Sequence, residues 1–259
     1  VLQVENVHLS FKKKGTFWRA GIKPILKGVT FHMRQGECLG LIGASGSGKS
    51  TLGRVITGTL RPQRGLVRLL GEDVYHMDRA GLFGRCRARP GLGGVVSIVF
   101  QDYNTSVNPR FPVRDILAEP LRGTKLAGDA SYLKALLAQV RLPGDYLGRK
   151  SLELSGGELQ RVCIARALAA KPALVLLDEA VSSLDVSVQF QVLELLKTLK
   201  NESGLSYLFI SHDLAAVTHL CDRILFFNDG RVVEQVDSLA DLVHVKDCTS
   251  RQLIAAVLA

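Results

Sequence analysis

No apolar run in this 259-residue chain approaches the roughly 18 residues that a membrane-spanning helix needs. The densest stretch, Ala173-Leu174-Val175-Leu176-Leu177, has the length of a buried strand. A secretory signal is absent from the start, so membrane association is expected through a partner or through the surface. The 5 cysteines (Cys38, Cys86, Cys163, Cys221, Cys248) are odd in number, scattered, and never in C-x-x-C spacing. That argues for reduced thiols in the cytoplasm and against a disulfide framework or a zinc site. The 6 histidines form no H-E-x-x-H group, so the chain by itself offers no metal site. The net charge of +9 and pI of about 9.5 suit nucleic acid, an anionic membrane face or a polyphosphate. No recognition-helix pattern and no aromatic-basic RNA motif is present, so nucleic acid is not an expected partner. The cluster Lys12-Lys13-Lys14 reads as a solvated loop. Internal repeats and low-complexity tracts are also missing, which leaves one folded copy of whatever the chain encodes.

What is present is a core. Hydrophobic residues make up 47% of the sequence, enough for one domain carrying an inserted subdomain. Residues 2–7 and 29–33 alternate as strands do, with a basic loop expected over 12–24 between them. Residues 38–42 form a short apolar strand. After a glycine-rich turn, Leu52, Val55, Ile56 and Leu60 recur at helical spacing, with Pro62 ending the helix. Residues 173–177 and 207–210 read as buried strands, and 188–199 as an amphipathic helix. Residues 224–227 and 231–234 flank Asn228-Asp229-Gly230 as a β-hairpin, because Asp-Gly supplies the positive φ of such turns. Prolines and glycines punctuate residues 102–154, where Leu133, Leu136, Leu137 and Val140 mark a helix. The fold class is α/β with a mostly helical insertion.

Gly43-Ala44-Ser45-Gly46-Ser47-Gly48-Lys49-Ser50, followed by Thr51, fits G-x-x-x-x-G-K-[ST] between a strand and a helix. Such a turn points backbone N–H groups at phosphates, and the helix N-terminus adds about half a positive charge. Lys49 is placed to reach the β- and γ-phosphates and Ser50 to bind Mg²⁺. Asp178 and Glu179 follow the strand at 173–177. Asp178 suits a water-bridged Mg²⁺ ligand, and Glu179 suits polarisation of the attacking water. Leu154-Ser155-Gly156-Gly157-Glu158 precedes a helix at 159–170. Ser155 and Glu158 have capping-box spacing, and the two glycines leave the helix end bare for a phosphate.

Together these motifs resemble the ATPase cassette of ABC transporters, and the resemblance covers nearly the whole chain. It implies an ABC-type P-loop NTPase: a RecA-like core with a mixed sheet, an antiparallel β subdomain, and a helical subdomain over 102–166, all within one cassette at 1–259. It implies ATP and Mg²⁺ as ligands, with Mg²⁺ held by Ser50, Gln101 and Asp178. Gln101 matches the Q-loop glutamine, Ser183-Leu184-Asp185 the D-loop and His212 the switch histidine, so Glu179, His212 and Gln101 form the expected catalytic set. Adenine needs an aromatic surface, for which Phe11 and Trp18 are the candidates. Ser155, Gly156 and Gly157 would face the γ-phosphate of ATP held by an opposing cassette.

Within that family the chain looks most like the oligopeptide, dipeptide and nickel importer group, through Ser106-Val107-Asn108-Pro109-Arg110, residues 116–121 and residues 185–189. Ala180-Val181-Ser182 stands where most relatives have Pro-Thr-Ser, and resembles the second ATPase subunit of nickel and metallophore importers. Peptide-importing members commonly carry a cysteine-rich C-terminal extension; here only Cys248 lies near Ala259. The implied partners are a second, non-identical ATPase subunit, two permease subunits, a short cytoplasmic helix of the permease docking on residues 101–111, and indirectly a substrate-binding protein. The implied place is the cytoplasmic face of the inner membrane, peripherally bound. Transition-metal cargo is expected first and peptides second. A soluble ABC ATPase of translation or DNA repair is the rival class. It is disfavoured because one cassette is present and the insertion lacks sustained heptads.

Overall fold

The computed structural model describes residues 1–12, 21–75, 94–102 and 105–258. Chain contacts divide it into two compact units, Val1–Leu92 with Phe209–Ala259, and Gly93–Leu208.

The first unit opens with antiparallel strands β1 (Leu2–Lys12) and β2 (Ile22–Met33). Both run further than alternation suggests, so the expected loop at 12–24 is shortened from each side. Leu2 lies opposite Met33 and Leu69, and Val4 opposite Phe31 and Val67. The buried set then slips from Leu2 and Val4 to Val7 and Leu9. A bulge at Asn6 (φ 48°) absorbs the extra residue, as a period of two requires. Strand β3 (Cys38–Ile42) is buried throughout and leads through the glycine-rich loop into α1 (Lys49–Ile56). β4 (Arg64–Leu69) pairs with β1, and β5 (Glu72–Asp73) with β4.

The expected helix after the loop stops at Ile56, well before Pro62. Gly58 takes φ 74°, and the Tyr75 hydroxyl lies within hydrogen-bond reach of the carbonyls of Val55 and Leu60, either of which can take its one proton. A longer helix would have used the Val55 carbonyl, which here meets Tyr75 and the Gly58 N–H at 3.1 Å instead. Burial raises the Tyr75 hydroxyl pKa, which keeps its proton in place as a donor.

The second unit holds β6 (Val96–Val99), α2 (Val113–Ala118), α3 (Ala130–Gln139), α4 (Gly156–Leu168), β7 (Leu174–Asp178) and α5 (Val186–Ser203). β6 and β7 are parallel, with Val96 beside Leu174 and Val99 beside Leu177. From α2 to α4 the described chain has helices, short 3-10 turns and one isolated bridge, Pro112 to Lys150. Strand β8 (Ser206–Ser211) is shared, with its last three residues in the first unit.

The first unit closes with α6 (Leu214–Leu220), β9 (Arg223–Asn228), β10 (Arg231–Val236) and α7 (Cys248–Leu258). β3 and β9 are parallel while β9 and β10 are antiparallel, so the sheet is mixed. At the hairpin tip Asp229 (φ 45°) and Gly230 (φ 78°) both take the left-handed conformation, the type I′ turn that Asp-Gly favours. Arg223, 2% exposed, ties the elements together: Nη1 lies 3.1 Å from Glu37, Nε 3.2 Å from Asp237, and Nη2 donates to His32 O at 2.9 Å. Among the described residues, no helix is long and apolar enough to cross a membrane.

Candidate functional site

In the first unit the site begins where β3 runs out. Ala44, Ser45 and Gly46 are exposed, whereas Ser47 and Lys49 are buried. A Cβ on Gly43 would lie 2.0 Å from the carbonyl oxygen of Phe227 on β9, so only glycine fits there. Gly48 caps α1 with φ 112°, again a glycine conformation. The Lys49 ammonium donates to Gly43 O at 2.7 Å and to Ala44 O at 3.0 Å, which curls the loop over its own cation. The Ser47 hydroxyl is buried and has no hydrogen-bond partner among the described residues. A buried hydroxyl of that kind, beside a lysine and a bare helix N-terminus, fits a phosphate oxygen. Ser50 and Thr51 follow on the first turn of α1, Ser50 exposed and Thr51 half-buried.

A buttress not anticipated from sequence completes this half. Gly230 N–H, at the hairpin tip, donates to Ser47 O at 3.0 Å, and Gly230 O accepts from Lys27 N at 2.9 Å. Its own Cβ would meet Ile25 O at 2.2 Å. The Asp-Gly pair signalled a turn but not the loop it supports. His212 is exposed immediately after β8, where Asp213 caps α6 by accepting from Ala215 N and Ala216 N. Phe11, 44% exposed, is paired with Lys23 near the end of β1. Trp18 lies outside the described residues.

In the second unit β7 delivers Asp178 and Glu179, both half-buried, at its C-terminal end. Glu179 has φ 49°, a conformation that costs a non-glycine residue of order 1–3 kcal/mol and must be held. It is held on three sides: Ser182 Oγ and N donate to Glu179 O at 2.9 and 3.1 Å, and the buried Gln160 amide donates to Ala180 O. Gln160 sits on α4, so the helix behind the glycine motif fixes the carboxylate turn. Ala180 and Val181 are themselves buried, 1% and 2% exposed. Gln101 is exposed, and its carbonyl accepts from Ser183 Oγ at 3.3 Å, joining the two motifs. Asp185 caps α5, accepting from Val188 N at 3.0 Å and Ser187 Oγ at 2.7 Å, and these bonds, the first foremost, lower its pKa.

At the head of α4 the capping box is formed: Ser155 Oγ accepts from Glu158 N at 3.4 Å, and Glu158 Oε2 accepts from Ser155 N at 2.7 Å. A Cβ on Gly157 would lie 2.5 Å from Val188 Cγ1, so the second glycine admits α5 as well as leaving the helix end bare. Tyr146 Oη donates to Glu158 Oε1 at 2.7 Å, a contact with no signal in the spacing. The structure therefore gathers the glycine loop, the hairpin tip and His212 in one unit. It gathers Gln101, the Asp185 loop, the carboxylate turn and the Ser155–Glu158 cap in the other.

The family described as ABC transporter matches residues 26–182. Nickel import ATP-binding protein NikE of Brucella suis biovar 1 is 38% identical over 261 residues, covering 100% of this chain and 95% of that protein. NikE of Rhodospirillum rubrum is 42% identical, covering 87% of this chain and 80% of the relative. Oligopeptide transport ATP-binding protein OppD of Mycobacterium tuberculosis is 40% identical, covering 99% of this chain but 42% of its own length. Among solved structures, the dimeric post-hydrolysis state of the ATP-binding cassette MJ0796 bound to ADP and Pi superposes with TM-score 0.74 at 28% identity, over 91% of this chain and 97% of that one. CbiO1 of Clostridium perfringens reaches TM-score 0.74 at 22% identity, covering 98% of this chain and 90% of that one, a likeness of fold. The chain thus belongs to the ABC transporter family, in the group that its nickel-import and oligopeptide-transport relatives define, as an ATP-binding cassette whose ATP hydrolysis is coupled to transport.

Proposed function

We propose that this chain is one of two non-identical ATPase subunits powering an importer of nickel or a related transition metal, free or chelated. The observation carrying the cargo is full-length correspondence: 100% of this chain aligns with 95% of a nickel import ATP-binding protein. Ala180-Val181-Ser182 adds to it. Oligopeptide cargo is the second reading, favoured by 40% identity to an oligopeptide transport ATP-binding protein.

In this reading the N–H groups of residues 43–51 surround the phosphates, Lys49 matches their charge, and Phe11 stacks on adenine. Ser50, Gln101 and Asp178 offer hydroxyl, amide and carboxylate oxygens, the hard donors that suit Mg²⁺. The ion supplies charge neutralisation on the triphosphate when bound. Glu179, fixed at an unusual backbone angle, accepts the proton of the water attacking the γ-phosphorus. His212 contacts the γ-phosphate. Ser155, Gly156 and Gly157 present N–H groups to ATP on the opposing cassette, and Asp185 shapes the loop between the two. Two nucleotides thereby glue two cassettes together, and hydrolysis releases them. Residues 102–166 form the helical subdomain that transmits this motion.

The subunit sits peripherally on the cytoplasmic face of the inner membrane, where residues 101–111 receive a cytoplasmic helix of the permease, in an importer with two permease subunits fed by a substrate-binding protein. Asn108, Pro109 and Arg110 are exposed and Phe111 is 39% exposed. Val107, expected on that surface, is only 8% exposed and packs inward. Tyr103 lies outside the described residues. Cysteine crosslinking from Asn108 to a permease tests the docking face; crosslinks formed only from remote surfaces would exclude it. The cargo is tested by ATPase activity of the reconstituted transporter with its binding protein. Nickel or a nickel chelate is expected to stimulate it. Stimulation by peptide alone would overturn the cargo and leave the ATPase reading standing.

A further inference from the structure

A glutamate at position 158 creates a problem for the site proposed above. It stands in the first turn of α4, where a carboxylate favours the helix. The same helix end is where an anionic phosphate is to be received, and like charges compete for one set of N–H groups. The structure binds both carboxylate oxygens: Oε2 to Ser155 N–H at 2.7 Å and Oε1 to Tyr146 O–H at 2.7 Å. Tyr146 is itself braced, because the Arg149 guanidinium carbon lies 3.8 Å from its ring centroid. Arg149 is in turn fixed by its backbone, N–H to Tyr146 O at 3.0 Å and carbonyl to Val113 N at 2.9 Å. The titration directions agree with the geometry. The Ser155 N–H first and the Tyr146 hydroxyl second hold the Glu158 carboxyl below its ordinary range, and the bond to Glu158 raises the Tyr146 hydroxyl.

We infer that Tyr146, backed by Arg149, is a positioning residue for nucleotide capture across the dimer. It fixes the Glu158 charge in the capping geometry, so the bare Gly156–Gly157 turn receives phosphate without a mobile competing carboxylate. This rests on the assignment of Ser155, Gly156 and Gly157 to the opposing ATP. A phenylalanine removes the hydroxyl and keeps the ring under Arg149. A glutamine at 158 removes the charge that needs fixing.

The test uses the assembled transporter and four forms: wild type, Tyr146→Phe, Glu158→Gln and the double variant. One lost hydrogen bond to a charged group corresponds to a factor of about 10. Tyr146→Phe is therefore expected to raise the ATP concentration for half-maximal hydrolysis about three- to tenfold, more than it lowers kcat. The same change in the Glu158→Gln background is expected to shift it less than about twofold. A merely structural tyrosine would instead lower the melting temperature equally in both backgrounds and leave the ATP dependence untouched, which overturns the inference. An equal rise in both backgrounds overturns it too, since no charge would then be involved. Ser155→Arg serves as the reference for the underlying assignment. If it abolishes hydrolysis while Tyr146→Phe changes nothing, only this inference fails; if it hydrolyses normally, the assignment of the motif fails with it.

Discussion

Replacing Gly43 by alanine tests how the phosphate loop is shaped by a strand more than 180 residues away. The added Cβ would sit 2.0 Å from Phe227 O, whereas real Cβ contacts stay beyond 3.0 Å, so backbone must move by at least about 1 Å. The obstacle is a carbonyl of the buried strand β9, and no rotamer relieves it. Overpacking costs roughly 1–3 kcal/mol, and a backbone clash belongs at the upper end. At about 2–4 °C per kcal/mol for a chain of this size, the melting temperature should fall by roughly 6–12 °C. Gly46→Ala is the comparison: nothing lies within 4 Å of its Cβ, and the cost is the left-handed angle, φ 77°, alone. About 1 kcal/mol, hence a fall of ~2–4 °C, is expected there. Moving Gly43 also displaces a carbonyl that holds Lys49. Binding of a fluorescent ATP analogue by Gly43→Ala should therefore weaken at least about tenfold, the scale of one charge-assisted hydrogen bond. A Gly43→Ala protein melting within 2 °C of wild type and binding nucleotide normally would refute the close approach of loop and strand.

Glu179→Gln should keep ATP binding and lose about 10²–10⁴ in kcat, the usual value of a general base, while Lys49→Ala should lose nucleotide affinity; undiminished turnover of Glu179→Gln in the assembled transporter would remove the catalytic assignment. The isolated chain should be a weak ATPase that is stimulated by its partner ATPase and permease, and full turnover in a dilute monomer would contradict the composite site. Lys27, by hydrogen bond and then by charge, lowers the Asp229 carboxyl pKa. A lowered folded pKa gives stability that is present above the unfolded value near 4 and lost as pH falls through the folded value. Asp229→Asn, which keeps a residue tolerant of φ 45°, should therefore melt slightly below wild type at pH 7 and match it in strong acid. A gap that persists below pH 2 would assign the effect to the turn backbone instead.

The sequence by itself determined what depends on neighbours along the chain. Alternation marked β1, and an unbroken apolar run marked β7, because a strand's burial has a period of two or none. The Asp-Gly turn, the Ser155–Glu158 cap and the glycine loop were legible because each satisfies backbone groups within a few residues. The slip at Asn6 shows only in the strand register, where pairing shifts between Val4 and Val7; residues 2–7 read by sequence as plain alternation. The end of α1 was not legible, since Leu60 continues the helical spacing and the competing donor is Tyr75, fifteen or more residues on. Spacing also could not show Phe227 against Gly43, Gly230 under Ser47, Gln160 on Ala180, or Tyr146 on Glu158. Nor could it show Arg223 joining Glu37, Asp237 and His32. These are bonds between elements, set by which backbone approaches which. Local patterns fix the pieces because their hydrogen bonds close within a turn; the tertiary structure decides what braces the site because those bonds close only after the chain has packed.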